Sequence, residues 1–190
     1  MIREQKKFLR SLKWYFWGMV GVFLISALLS FSFPALFHFF DPFLVQLLAE
    51  AHDLHGLPLF FFIFKNNLLA AGMGVLGGVL FGIIPLGVGV VNGLLLGYVG
   101  AKVTATQGFV SLWRLLPHGI FELPALFLAL ALGIRLGVAS GMLLLGFLRG
   151  SKKDDFLEVL SSSLITFCLM VLPLLFIAGV IESLLISVGV

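Results

Sequence analysis

The sequence predicts an all-helical, multi-pass membrane protein with five transmembrane helices, its N-terminus inside and its C-terminus outside. Three observations carry this. Of the 190 residues, 61% are hydrophobic and 11% charged, whereas about a quarter of the residues of a soluble domain are charged. Several apolar runs approach the roughly 20 residues that cross a bilayer. Positive charge gathers in two places, among the first thirteen residues (Arg3, Lys6, Lys7, Arg10 and Lys13) and at Arg149, Lys152 and Lys153. The positive-inside rule puts both on the cytoplasmic side. No soluble domain fits between the runs, so residues 1–190 read as one membrane domain. The net charge of +3 comes largely from the basic start and is not a nucleic-acid signal. The one cysteine, Cys168, lies in an apolar run and supports neither a disulfide framework nor a cysteine metal site.

Residues 1–13 form a basic cytoplasmic segment. Residues 14–33 are the first span; the apolar stretch is too long for a signal peptide and no clear small-x-small cleavage site follows, so it reads as an uncleaved anchor. Residues 34–58 contain no Lys or Arg but carry Asp41, Glu50 and Asp53, which places them outside. Within them residues 43–50 are amphipathic and fit the outer interface. His52 and His55 follow, and a solvated loop explains them better than a metal site.

The second span is expected over residues 60–84, with Lys65, Asn66 and Asn67 near its outer end. A short inner turn is expected at Pro85-Leu86-Gly87. The third span then covers residues 88–101, contains Asn92 and is marked at its outer end by Lys102. Residues 104–116 form an outer loop, with Trp113 and Arg114 as interfacial anchors.

The fourth span, residues 117–147, is about 45 Å long at 1.5 Å per residue, against a hydrocarbon core of about 30 Å. It must tilt, kink or begin in a re-entrant stretch. Pro117 fits a first helical turn, whereas Pro124 removes one internal bond and predicts a kink. Arg135 lies mid-span and needs an acidic or carbonyl partner, or a wet cavity. The fifth span covers residues 156–188, with a kink expected at Pro173. Its Ser162, Ser163 and Thr166 most simply bond to their own helix backbone.

Two patterns stand out. Glycines recur every four residues at Gly74, Gly78 and Gly82, at Gly89, Gly93 and Gly97, and at Gly133, Gly137 and Gly141. Each set puts a smooth strip on one helix face where another backbone can approach. Packing within the chain is the expected use; a homo-oligomer seam is the alternative. The second pattern is a polar set inside apolar segments: Asn67, Asn92, His118 and Glu122. His118 and Glu122, four apart, share one helix face. Counting along the helices puts Asn67 about 3 Å inward of Lys65, Glu122 about 6 Å inward of His118 and Asn92 about 15 Å inward of Lys102. Asn67, His118 and Glu122 thus share the outer half of the membrane, and Asn92 lies near its middle. Buried polar groups of this kind tie spans together or form a solute or ion site. An enzyme is not expected. His118 and Glu122 give two zinc ligands where catalytic sites use three protein ligands. There is no His-Glu-x-x-His, Gly-x-Ser-x-Gly or phosphate-binding loop. No cofactor and no metal are expected.

Three stretches in order, Phe64-Lys65-Asn66-Asn67, Asn92-Gly93 and Leu116-Pro117-His118-Gly119-Ile120-Phe121-Glu122-Leu123-Pro124-Ala125, together with the glycine-rich spans between them, resemble the stage II sporulation protein M family. The resemblance implies a plasma-membrane scaffold without chemistry of its own, working with peptidoglycan-degrading partners in envelope remodelling. The family also occurs in organisms that do not sporulate. Its pattern points to Asn67, Asn92, Gly93, His118, Gly119, Glu122 and Pro124. Two functions follow as expectations: a scaffold that positions envelope-remodelling proteins, or a small channel or transporter that binds an ion or solute at the polar set. The expected partners are the lipid bilayer, envelope proteins and further copies of the chain.

Overall fold

A computed structural model describes residues 2–149 and 154–188; Lys152 and Lys153 of the basic loop lie outside these, as do the side chains of residues 114–118, His118 among them. The described chain is almost entirely helical, with no strand among the described residues. Helix α1 (Ile2–Ser11) runs into α2 (Lys13–Ser32). A 3-10 segment (Pro34–Phe40) and α3 (Asp41–Ala51) lead to α4 (Leu57–Leu76). A 3-10 turn (Gly77–Val79) precedes α5 (Ile83–Gln107), and another (Phe109–Leu115) precedes α6 (Leu116–Arg149). Helix α7 (Asp154–Thr166) continues through a π-helical turn (Phe167–Val171) into α8 (Leu172–Val188). Five stretches are long and apolar enough to cross a membrane: Gln5–Ser32, Leu57–Val79, Ile83–Gln107, Gly119–Phe147 and Phe156–Ile186.

Helix α6 is the centre of the bundle. Half of its most apolar window is buried, against 22–33% for the other spans. Ala125, Ala129, Leu130, Ala131, Leu132 and Leu136 are fully enclosed. Small residues on it, Ala125, Ala129, Ala131, Gly133 and Gly137 among them, let neighbouring helices pack closely. Around it, α4, α5, α2, α7 and α8 make the shell, and their outward residues, such as Leu24, Ile25, Leu28, Leu69, Met73 and Leu169, are exposed. In water such a surface would aggregate; in a bilayer it meets acyl chains. The apolar face of α1, Phe8 and Leu9, packs with Leu12 onto the α6–α8 core, while Lys6, Lys7, Arg10 and Lys13 stay exposed.

The glycines set the closest helix approaches. A Cβ on Gly78 would lie 2.3 Å from the Gly133 carbonyl oxygen, and one on Gly133 would meet the carbonyl of Gly74 at 2.0 Å. On α5, Cβ atoms at Gly93 and Gly97 would strike the carbonyls of Phe23 and Ala27 on α2, at 2.5 and 2.0 Å. Along the α2–α5 seam, Ser30 donates across to the Leu94 carbonyl at 2.7 Å. On the far side, Phe60 and Phe64 of α4 make edge contacts with Phe176 of α8.

One expectation is corrected and two are made specific. The turn after the second span lies several residues before Pro85. It is made by Phe81 (φ 57°) and Gly82 (φ 77°), a conformation that glycine adopts freely and phenylalanine rarely. Pro85 is instead the third residue of α5, where its missing N–H is one the helix would leave unbonded anyway. Gly82 therefore caps α5 rather than extending the α4 strip, and the third span is longer than 88–101. The fourth span is one helix of 34 residues passing through Pro124, not a re-entrant pair. Pro124 leaves the Ile120 carbonyl without its helical N–H partner. At about 51 Å this helix outruns the hydrocarbon core. Finally, the distortion at Pro173 takes the form of the π turn just before it, which contains Leu169, the residue whose carbonyl the proline ring crowds.

Candidate functional site

A cavity of about 500 Å³ lies among α2, α4, α5 and α6. Its walls are mostly apolar, with Phe23 and Phe31 from α2, Leu95, Leu96 and Val99 from α5, and Leu123 and Leu126 from α6. Leu44 and Leu47 of α3 and Leu112 of the 3-10 turn after α5 complete it. Set into these walls are Asn66 and Asn67 of α4, Asn92 of α5 and Glu122 of α6. Three helices thus bring one carboxylate and three carboxamides to one space, together with the bare backbone of Gly119 and Gly100. The volume falls in the range of small-molecule sites, and so does the pattern of apolar walls with few polar groups.

Each polar side chain is placed by its helix register. Asn66 and Asn67 occupy successive positions, so their side chains leave α4 about 100° apart. Asn67 is half-buried, while Asn66 lies beside it on the rim and also lines a shallower groove of about 310 Å³ with Phe43, Gln46, Glu50 and Lys65. Asn92 donates one amide hydrogen to the Val88 carbonyl at 2.8 Å. A carboxamide has a second donor and an acceptor oxygen beyond that bond. Glu122 is half-buried on the second turn of α6. His118 lies four residues before it on the same helix, and its side chain is outside the described residues.

This set can accept hydrogen bonds or hold a cation through one carboxylate, and it can donate through the carboxamides. Among the described residues no three His, Cys, Asp or Glu side chains converge as a metal site. Arg135, half-buried on α6, is not in the lining; thirteen residues inward of Glu122, it lies about 20 Å further along the helix. In the fifth span Thr166 donates to the Ser162 carbonyl at 2.8 Å, the local bond that hydroxyls in helices favour; the Ser163 hydroxyl, fully buried, makes no such bond among the described residues.

The family model for stage II sporulation protein M matches residues 22–185. The chain belongs to this family. No curated protein and no solved structure matches it. The matched stretch starts within α2 and ends within α8. It contains every residue that lines the cavity and every member of the three glycine sets, and leaves the basic helix α1 outside.

A second polar group, which no sequence motif marks, joins the outer segment to α5. The Tyr98 hydroxyl donates to Asp41 Oδ1 at 2.7 Å, and the Lys102 ammonium donates to the same oxygen. His38 Nδ1 lies 3.0 Å from the Tyr98 hydroxyl and 3.4 Å from Asp41 Oδ2. The Lys102 ammonium, then the Tyr98 hydroxyl, hold the Asp41 carboxyl down to about 2 from its ordinary 3.8. Tyr98 is fully buried, although its partners Asp41 and Lys102 reach the surface. The one local signal is a tyrosine one helical turn before a lysine in an apolar span; its acidic partner is 57 residues away, beyond any local pattern.

Proposed function

We propose that this family member is a non-enzymatic scaffold of the plasma membrane that positions cell-envelope remodelling proteins, with peptidoglycan-degrading enzymes as the partner class. Family membership over residues 22–185 supports the reading. The observation that carries it is the apolar rim of the outer face. Leu36, Phe39 and Val45 of the outer segment are 66–69% exposed. Phe109 and Val110 after α5 are 70% and 80% exposed. Exposed apolar patches of this kind are typical of protein or membrane contact sites. The basic N-terminal helix and the basic residues Arg149, Lys152 and Lys153 orient this rim outward by the positive-inside rule. Photo-crosslinkers at positions 39 and 110 in native membranes test it. Capture of peptidoglycan-active proteins is expected; capture of nothing but copies of the chain would count against it.

The cavity favours a second reading, a small channel or transporter that takes an ion or solute at Asn66, Asn67, Asn92 and Glu122. Reconstituted flux that depends on the Glu122 carboxylate would favour this reading over the scaffold.

A further inference from the structure

We infer that the outer segment 34–51 is a lid over part of the cavity, latched down by Asp41 on Tyr98 and Lys102, and that releasing it widens the way in for solutes from the outer side. Such a lid rests on the cavity being a site that something occupies, and it adds the element that controls entry.

The lid lies over the cavity by geometry. Leu44 and Leu47 line the cavity and follow Asp41 by three and six residues on the same helix. Leu44 shares a face of α3 with Asp41, and Leu47, one turn after Leu44, continues the wall round the helix. Tyr98 and Lys102 rise from α5, whose Leu95, Leu96 and Val99 line the same space. The latch thus joins the two elements whose separation would open it.

No residue of Pro34–Phe40 or Asp41–Ala51 is fully buried, although Phe37, Phe40, Leu44 and Leu47 are half-buried. The lid is therefore held by partial apolar contact together with the bonds at Asp41. Each end of the segment is a joint. Phe33 leaves helical geometry at φ −128°, ψ 56°. Gly56 adopts φ 56°, ψ −126°, a backbone state open almost only to glycine. A Cβ there would meet no atom within 4 Å, so the glycine serves backbone conformation and not space. Short terminal joints flanking a rigid helix are what hinged closure uses.

The experiment reads access directly. In the full chain with Cys168→Ala, Leu95→Cys reports from the cavity wall and Asp53→Cys from the open outer surface. Both are labelled in membranes with the impermeant cation 2-(trimethylammonium)ethyl methanethiosulfonate, with and without Asp41→Asn or Tyr98→Phe. Tyr98→Phe keeps the buried ring and removes the hydroxyl alone, so it tests the latch even if Asp41→Asn folds poorly. The labelling rate at position 95 should rise about fivefold or more in either latch variant, as expected when polar contacts that hold a closed lid are lost, while the rate at position 53 stays the same. An unchanged rate at position 95 in Tyr98→Phe overturns the lid. So does a parallel rise at position 53, which reports general loosening. Neither result touches the scaffold or transport readings, which are decided by crosslinking and by flux.

Discussion

Gly78 and Gly133 meet backbone to backbone: a Cβ on the first would stand 2.3 Å from the carbonyl oxygen of the second. No side chain separates the end of the second span from the central helix there, so the approach is fixed by the absence of atoms. Gly78→Leu should therefore force the helices apart. Overpacking of this kind costs about 1–3 kcal/mol, occasionally more, and should lower the melting temperature in detergent markedly. A Cβ on Gly72, earlier in the same span, would meet nothing within 4 Å. Gly72→Ala should leave the melting temperature unchanged or raise it slightly, since alanine favours helix. Equal behaviour of the two variants would contradict the close contact with α6.

The α2–α5 seam makes a smaller prediction. Ser30 is fully buried and its hydroxyl reaches the Leu94 carbonyl at 2.7 Å. Hydrogen bonds between membrane helices average about 0.6 kcal/mol, with a maximum near about 1.7. Ser30→Ala should destabilise within that range, far less than Gly97→Leu, whose Cβ would collide with the Ala27 carbonyl on the same seam. Thermal melts of both variants measure the difference.

The spans are legible in the sequence because hydropathy averages over many residues, and a bilayer rewards the same chemistry at every depth. The turn between α4 and α5 is not. Pro85 and Gly87 carry turn chemistry yet lie inside a helix, while Phe81, an unfavourable residue for positive φ, lies in the turn. Polarity inside apolar segments draws Asn67, Asn92, His118 and Glu122 into one set; Asn67, Asn92 and Glu122 line a common cavity, and the His118 side chain is outside the described residues. Asn66 escapes that pattern because it sits beside a lysine and reads as interfacial. Arg135 draws notice by its charge but lies well inward of that cavity. The Asp41–Tyr98–Lys102 group depends on a tertiary fold-back of residues 34–51, which no periodicity encodes.

Asp41 should contribute a pH-dependent part of stability. Its carboxyl titrates near 2 in the fold and near about 3.9 in an unfolded chain. A lowered folded pKa means the ionised form is favoured by folding. That stability is fully present above about pH 4 and is lost as the pH falls toward about 2. His38, Tyr98 and Lys102 surround the group. The pair is surface-exposed, so solvent and salt screen it and the effect should be shallow. Melting curves from about pH 5 down to about pH 2 should show a drop in the wild type that Asp41→Asn lacks. Parallel curves for the two proteins would rule out this role for the carboxylate.

Five spans place the two termini on opposite sides of the membrane, and the charge asymmetry puts the N-terminus inside. Cysteines introduced singly at positions 53 and 152 of a Cys168→Ala chain should react with impermeant thiol reagents from opposite faces. Position 53 should label in intact cells and position 152 only after permeabilisation. Labelling of both in intact cells would break the five-span topology.

Glu122 separates the scaffold from the transporter. It lines the cavity with three carboxamides and shares the first turns of α6 with His118. If its role is to tie helices together, removing its oxygens leaves neighbouring polar groups unsatisfied at a cost of about 1–3 kcal/mol. Glu122→Ala should then lower the melting temperature. Glu122→Gln should lower it less, because an amide oxygen still accepts and a neutral group is easier to hold at low dielectric. If His118 bonds to Glu122, His118→Ala combined with Glu122→Ala should fall short of additivity, as coupled neighbours do. On the scaffold reading, Glu122→Gln should fold and still crosslink to envelope proteins from positions 39 and 110. A transporter behaves differently. Only an ionisable carboxylate can take up and release a proton or hold a cation by charge, so Glu122→Gln should fold normally yet lose flux in proteoliposomes. Melts, crosslinking and flux on the same four variants decide between them. A stable Glu122→Gln protein with undiminished partner capture supports the scaffold, whereas a stable protein that has lost a wild-type flux assigns the cavity to transport.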